Sequence, residues 1–305
     1  MKNSSASKIA LILLIGLITK HVVFAGPDRV DHLVGSVKSR TVLFITGAFV
    51  SNKGWDEWKV YFESRGFTTY APSWPHKDAP VEILRSRHPD KALASLRFDE
   101  LVNYFAEFAQ QLPEKPILIG HSTGGLIAQL LHQRGLGVAA IAYHSVPPKG
   151  VLTSKFSFIK SVFPAFGLFR SANKTYMMSF KQWQYAFTNG MSLEDQEDSF
   201  EKNTVPESRR VARGAIGKAA KIHFNKPHPP LLFISGSDDH IMPASLNRKN
   251  FRKYKNTGSI TEYKEFAGRN HFALGQPTWK EDADYMLEWI QKIENASLTF
   301  PVTKN

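Results

Sequence analysis

Three residue types in a telling order are where this chain would do chemistry: a serine framed by glycines, then acids, then a histidine. The serine is Ser122, in the run Gly120-His121-Ser122-Thr123-Gly124. A serine hydroxyl is a poor nucleophile until a base takes its proton. An imidazole can do this near neutral pH and return the proton to a leaving group, while a buried carboxylate fixes the imidazole's tautomer and stabilises its charged form. Two adjacent carboxylates, Asp238 and Asp239, lie in Gly236-Ser237-Asp238-Asp239-His240-Ile241-Met242-Pro243. The histidine is His271, in Gly268-Arg269-Asn270-His271-Phe272. The order serine, acid, histidine is one of the known arrangements of such a triad.

These residues need elements to carry them. Ile117 to Ile119 form a short apolar run that suits a central strand covered on both faces, and Leu126, Ile127, Leu130 and Leu131 recur at helical spacing. The chain therefore turns from strand to helix at Ser122, which predicts a strained serine backbone with its Oγ above the sheet. The free N–H groups at the start of that helix would face negative charge developing on a substrate oxygen, with the Thr123 N–H as first donor. Upstream, Val42 to Ile45 reads as a strand, Trp55, Trp58 and Phe62 as one face of a helix, and Phe67 to Tyr70 as a second strand. This implies a parallel pair with a right-handed crossover. The loop at Gly47 to Phe49 leaves the carboxyl end of its strand, where ligands gather in open α/β sheets, and makes the Ala48 N–H the second oxyanion donor.

A helix is expected over Leu96 to Leu112 and strands over Val138 to Tyr143, Leu231 to Ser235 and Ile260 to Phe266. A basic helix from Ala244 to Tyr254 and a last helix facing inward through Ala283, Met286, Leu287, Ile290 and Ile293 complete the pattern. Pro147-Pro148 ends regular structure, and residues 149–226 lose clear periodicity while gaining aromatics such as Phe156, Phe163, Trp183 and Phe187. The expected content is short helices forming a lid, with most of these aromatics in the lid's own core and some lining an acyl pocket. The predicted division is a core from 26–148 and 227–297, a lid from 149–226, and a tail from 298–305.

The stretches GHSTGG (Gly120 to Gly125), GSDDHIMP (Gly236 to Pro243) and YKEFAGRNHFALGQPTW (Tyr263 to Trp279) resemble those of the α/β-hydrolase superfamily, specifically a lidded bacterial branch with a serine nucleophile. The resemblance runs from Thr41 to Gln291. It implies the α/β-hydrolase fold, a mostly parallel sheet with helices on both faces and a helical lid insertion. It also implies that the acid is Asp239, with Asp238 as fallback, and that His271 is the base. Thr46 departs from the pattern, since many members carry histidine there. Superfamily relatives that act on alkyl halides or epoxides use an aspartate nucleophile, against which Ser122 speaks. The implied activity is cofactor-free hydrolysis of an acyl ester, carboxylesterase-like or lipase-like. A metal-free haloperoxidase and a catalytically silent fold that binds a ligand or surface are the alternatives, because fold analogy does not choose among them.

The formal charge of +12 concentrates in Arg209, Arg210, Arg213 and Lys218, and in Arg248, Lys249, Arg252, Lys253 and Lys255. Without a nucleic-acid-binding motif these read as solvated helix faces. The expected partner is a small-molecule or lipid acyl substrate and no nucleic acid, with attraction to an anionic membrane or cell surface as the remaining reading. The absence of cysteine excludes disulfides and thiol nucleophiles, and His144, His223, His228 and His240 show no metal-ligand spacing, so no metal is expected. His121 and His240 are expected to be scaffold or pocket-wall residues. Residues 1–25 combine Lys2 and Lys8, the apolar run Ile9 to Ile18 and the small residues Val23 and Ala25 before Gly26. This is the layout of a signal peptide for export, with an uncleaved N-terminal anchor as the alternative.

Overall fold

The computed structural model describes residues 38–298 except 168 and 255–257. The export segment and residues 299–305 of the expected tail lie outside the described residues. The described chain begins with β1 (Thr41–Ile45), a short 3-10 turn and α1 (Asp56–Glu63), then β2 (Thr68–Tyr70), α2 (Val81–Ser86), α3 (Lys91–Ser95) and α4 (Phe98–Gln111). Next come β3 (Ile117–His121), α5 (Thr123–Gln133) and β4 (Ala139–Tyr143). Four helices follow before the sheet resumes: α6 (Phe156–Phe166), α7 (Phe180–Ala186), α8 (Leu193–Asn203) and α9 (Arg209–Gly214). The chain closes with β5 (Leu231–Gly236), α10 (Ala244–Phe251), β6 (Thr261–Phe266) and α11 (Trp279–Leu298). The six strands lie in the order β2-β1-β3-β4-β5-β6, and every pairing is parallel.

The two-residue period of the strands divides the core. Val42, Phe44, Ile117, Ile119, Ile141, Leu232 and Ile234 point to one face, against Trp55, Trp58 and the inner side of α11. Leu43, Ile45, Leu118, Ala140, Ala142, Leu231 and Phe233 point to the other, against α4 and α5. A sheet so covered leaves only its strand ends free for chemistry. The helix after Ser122 carries an amphipathic pattern but is buried all round, from Thr123 to His132. Its buried Gln129 side chain is satisfied by Ser145 Oγ at 2.8 Å and by the Tyr254 hydroxyl at 3.0 Å.

The helices between β4 and β5 build a third cluster around Trp183, Phe187 and Met178, joined by Phe49, Ile241 and Met242 from the sheet's loops. The aromatics of this segment divide three ways rather than two. Trp183 and Phe187 are buried, Phe158 and Phe166 line a cavity, and Phe156, Phe163 and Phe169 are exposed. The reading of 209–218 as a solvated basic face also needs correction. The Arg209 guanidinium donates to the carbonyls of Pro164 and Ala165, and that of Arg213 to Phe166, Gly167 and Arg170. These arginines collect the unsatisfied carbonyls at the end of α6.

Candidate active site

Ser122 sits between β3 and α5 with φ 56° and ψ −119°, a left-handed backbone that a non-glycine residue adopts only where its surroundings force it. Two close approaches do the forcing. A Cβ on Gly120 would lie 2.0 Å from the Gly124 carbonyl oxygen, and one on Gly124 would lie 1.9 Å from the Ile45 carbonyl oxygen. The Ser122 N–H donates to Tyr143 at 3.0 Å and its carbonyl accepts from Val146 at 3.0 Å, so the turn is tied to the end of β4.

From Ser122 a hydrogen-bonded line runs across the strand ends. Ser122 Oγ lies 2.9 Å from His271 Nε2, and His271 Nδ1 lies 2.7 Å from Asp239 Oδ2. His271 follows β6 and Asp239 follows β5, as the sequence order requires. The neighbouring Asp238 is exposed, and its carboxylate accepts from the Ser237 hydroxyl. Asp239 is buried, and its other oxygen accepts the N–H groups of Ile241 at 2.8 Å and Met242 at 2.7 Å. Burial alone would raise the Asp239 carboxyl. The charge interaction with His271 and the hydrogen bonds from His144 and His271 outweigh it and hold the group far below the usual carboxylate range.

His144 is the residue that sequence reasoning weighed only for metals. Its Nδ1 lies 2.7 Å from the same Asp239 Oδ2 that His271 uses, its Nε2 is buried without a partner, and its φ is +47°. The signal was available: His144 directly follows β4, the strand lying between those that carry the serine and the acid. The ligating atoms of His144, Asp239 and His271 fall within 4.8 Å of one another. Because an ionised carboxylate only accepts, both Nδ1 atoms must carry the protons they share with Asp239. A metal there would have to displace both, since a ligating imidazole nitrogen must be unprotonated.

The histidine loop is held from three sides. His121 Nε2 donates to the His271 carbonyl at 3.0 Å, the Phe272 N–H donates to Phe187 at 3.0 Å, and the Asn270 N–H donates to Gln276 Oε1 at 3.0 Å. Burial, then the neighbouring His271 and His144, push His121 well below the usual histidine range, so it stays uncharged as a wall residue. Behind the loop, Arg269 Nε donates to Asp282 at 3.0 Å, and Asp282 accepts the Tyr143 hydroxyl at 2.5 Å. His240 Nδ1 lies 2.8 Å from the carbonyl of Tyr185.

On the other side of the serine, Gly47 opens the loop after β1: a Cβ there would lie 2.8 Å from Ser122 Cβ. Ala48 and Thr123 line the same cavity as Ser122. This loop carries a second feature missed in the sequence. The Phe49 N–H donates to Glu207 Oε2 at 3.2 Å, and Lys77 Nζ meets the same oxygen at 2.8 Å, both side chains being buried. The Phe49 carbonyl accepts from the Val205 N–H at 2.9 Å. Trp74 Nε1 donates to the Thr46 carbonyl at 3.1 Å, so the departure at Thr46 leaves the loop anchored through its backbone.

The cavity that Ser122 and His271 share is about 80 Å³ and apolar, walled by Phe158, Val162, Ala165, Met178 and Ile241. A second cavity of about 330 Å³, also bordered by His271, is lined by charged groups including Lys53, Glu57, Asp195 and Lys202. His271 stands between an apolar and a polar space.

A family model described as the alpha/beta hydrolase family matches residues 42–281. The chain belongs to this family. Solved structures with the same fold include a monoacylglycerol lipase from Paleococcus ferrophilus, at 19% identity and TM-score 0.57, covering 83% of this chain and 94% of that one. A methylesterase from Arabidopsis is 15% identical at TM-score 0.57, covering 82% and 98%. An extracellular alpha/beta-hydrolase from a Paenibacillus species is 18% identical at TM-score 0.59, covering 81% and 98%. No curated protein matches the chain. Among alpha/beta hydrolases at this distance, likeness carries the fold, and the reaction has to be argued from the site.

Proposed function

We propose that the chain is a serine hydrolase that cleaves esters of apolar acyl groups. The observation that carries this reading is the unbroken line Ser122 Oγ, His271 Nε2, His271 Nδ1, Asp239 Oδ2, opening on an apolar cavity. Ser122 Oγ attacks the acyl carbonyl carbon as its proton passes to His271 Nε2. Asp239, accepting from Nδ1, stabilises the imidazolium that forms. The carbonyl oxygen becomes an oxyanion and takes hydrogen bonds from the Thr123 and Ala48 N–H groups, the first of them at the start of α5. Collapse breaks the ester C–O bond, and the alcohol leaves with the proton from His271. Water then repeats the sequence on the acyl-enzyme, releasing the acid and regenerating Ser122.

The apolar cavity suits the acyl group, and the charged cavity beyond His271 suits a polar alcohol and the entering water. In this reading residues 149–226 are a lid, and 26–148 with 227–297 form the catalytic core. The relatives named as a methylesterase and a monoacylglycerol lipase support an ester as the scissile bond. The test is hydrolysis of nitrophenyl esters of increasing chain length by the native chain, Ser122→Ala, His271→Ala and the double variant. Each single change is expected to lower kcat by about 10⁴ to 10⁶, and the double variant by no more than either alone, since the residues act as a unit. Losses that multiply in the double variant would refute the assignment.

A further inference from the structure

Helix α6 is apolar on two opposite faces, and only one of them is covered by other described residues. Phe158, Val162 and Ala165 face the cavity. Phe156, Ile159 and Phe163, spaced i, i+3 and i+7 on the other side, are 73%, 45% and 53% exposed. Leu152 before the helix is 71% exposed and Phe169 after it 95%. Single exposed apolar residues are ordinary, but a contiguous ridge of large ones marks a contact surface.

The charge of the chain segment that carries the ridge has one sign. From residue 149 to residue 193 the chain carries Lys149, Lys155, Lys160, Arg170, Lys174 and Lys181, and the first acid after Pro148 is Glu194. None of the ion pairs among the described residues uses these cations. A second copy of the chain seated on the ridge would bring six cations against six, so the complementary occupant is anionic. The eleven residues of α6 span roughly 16 Å, about half a bilayer's hydrocarbon thickness. No described helix is long and apolar enough to cross a membrane. An apolar face flanked by lysine and arginine is the pattern of a helix lying in the plane of a lipid surface. Ile216, 53% exposed, also lines the cavity, so the cavity reaches the surface beside α6.

We infer that the outer face of α6, with Leu152 and Phe169, docks on an anionic lipid surface and that the acyl cavity opens beside this contact. Binding does not require turnover, so it is measured in the Ser122→Ala background, where failure of the ester reading leaves it untouched. The assay is co-sedimentation with phosphatidylcholine vesicles, with and without about a third phosphatidylglycerol. Anionic vesicles are expected to bind at least about tenfold more tightly than neutral ones, with that advantage lost at high salt. Phe156→Ser with Phe169→Ser is expected to weaken binding by about 30-fold, and Lys155→Glu with Arg170→Glu by about tenfold. All variants share the same N-terminal segment, so the differences between variants report the α6 face. With Ser122 restored, the surface variants should hydrolyse a soluble short-chain ester within about twofold of the native chain, because none of these side chains lines the cavity. Equal binding to neutral and anionic vesicles, unchanged binding by the Phe156/Phe169 variant, or a dimer in solution that dissociates with that variant would each overturn the inference.

Discussion

The strand ends and the helices over them are built on different principles, although they share one cavity. Ser122, Asp239 and His271 leave β3, β5 and β6 on short turns whose backbone is tied down by N–H and carbonyl groups of neighbouring strands and loops. The opposite wall is made by side chains of α6 and α9, and the end of α6 is held by the arginine donors Arg209 and Arg213 of α9. In the first region a side chain can change only if the main chain agrees. In the second, the wall is side chain only, so under the proposed function reactivity belongs to the sheet and chain-length preference to the helices.

Substitutions that alter one region and spare the other test this division. Asp239→Asn would keep the shape but lose the carboxylate shared by His271 and His144. The expected loss in kcat is about 10³ to 10⁴ with little change in melting temperature; a loss below about tenfold would mean that the acid is elsewhere.

Where the two regions meet, Glu207 from the helical segment holds both Lys77 and the Phe49 N–H. Glu207→Gln leaves a buried ammonium without its carboxylate, and a stability loss of about 3 kcal/mol is expected by denaturant titration. Adding Lys77→Met should recover much of it. If Glu207→Gln alone were neutral, the pair would not be what joins the regions.

Val162→Trp fills the cavity from α6. It should cut kcat/KM for long-chain esters by about 10-fold to 100-fold and leave acetate esters within about threefold. Equal losses on all chain lengths would place Val162 with the chemistry rather than with selection.

The smallest expected effect concerns pH. Burial, followed by His228, lowers His132 to about 3, so below its unfolded value of about 6.5 only the unfolded chain takes up the proton. Stability from this group is complete above pH about 6.5 and falls as pH drops, by about 2 kcal/mol at pH 5. His132→Gln should flatten that slope in melting curves recorded between pH 7 and 5. An unchanged slope would contradict this account.

The sheet and the positions of the three proposed catalytic side chains at its strand ends were legible because each rests on a local pattern: an apolar strand, a glycine-bearing turn and a helix. The choice of Asp239 over Asp238 came from resemblance to a family motif, and the structure separates the two by burial. His144 escaped because its partner lies 95 residues away and the double proline after it drew attention to the chain break instead. Glu207 and Lys77 are 130 residues apart, in stretches with no periodicity to place either of them. The fate of the aromatics from Phe156 to Phe187 depended on how α6 rolls on the core, which no local spacing encodes.

The central claim is an activated serine at the end of β3, and reaction with a fluorophosphonate probe addresses it without knowledge of the substrate. Mass spectrometry of the digested protein is expected to find one phosphonyl adduct, on Ser122, absent from Ser122→Ala and strongly slowed in His271→Ala. An adduct at another residue, or none under conditions where the chain is folded, would contradict the account.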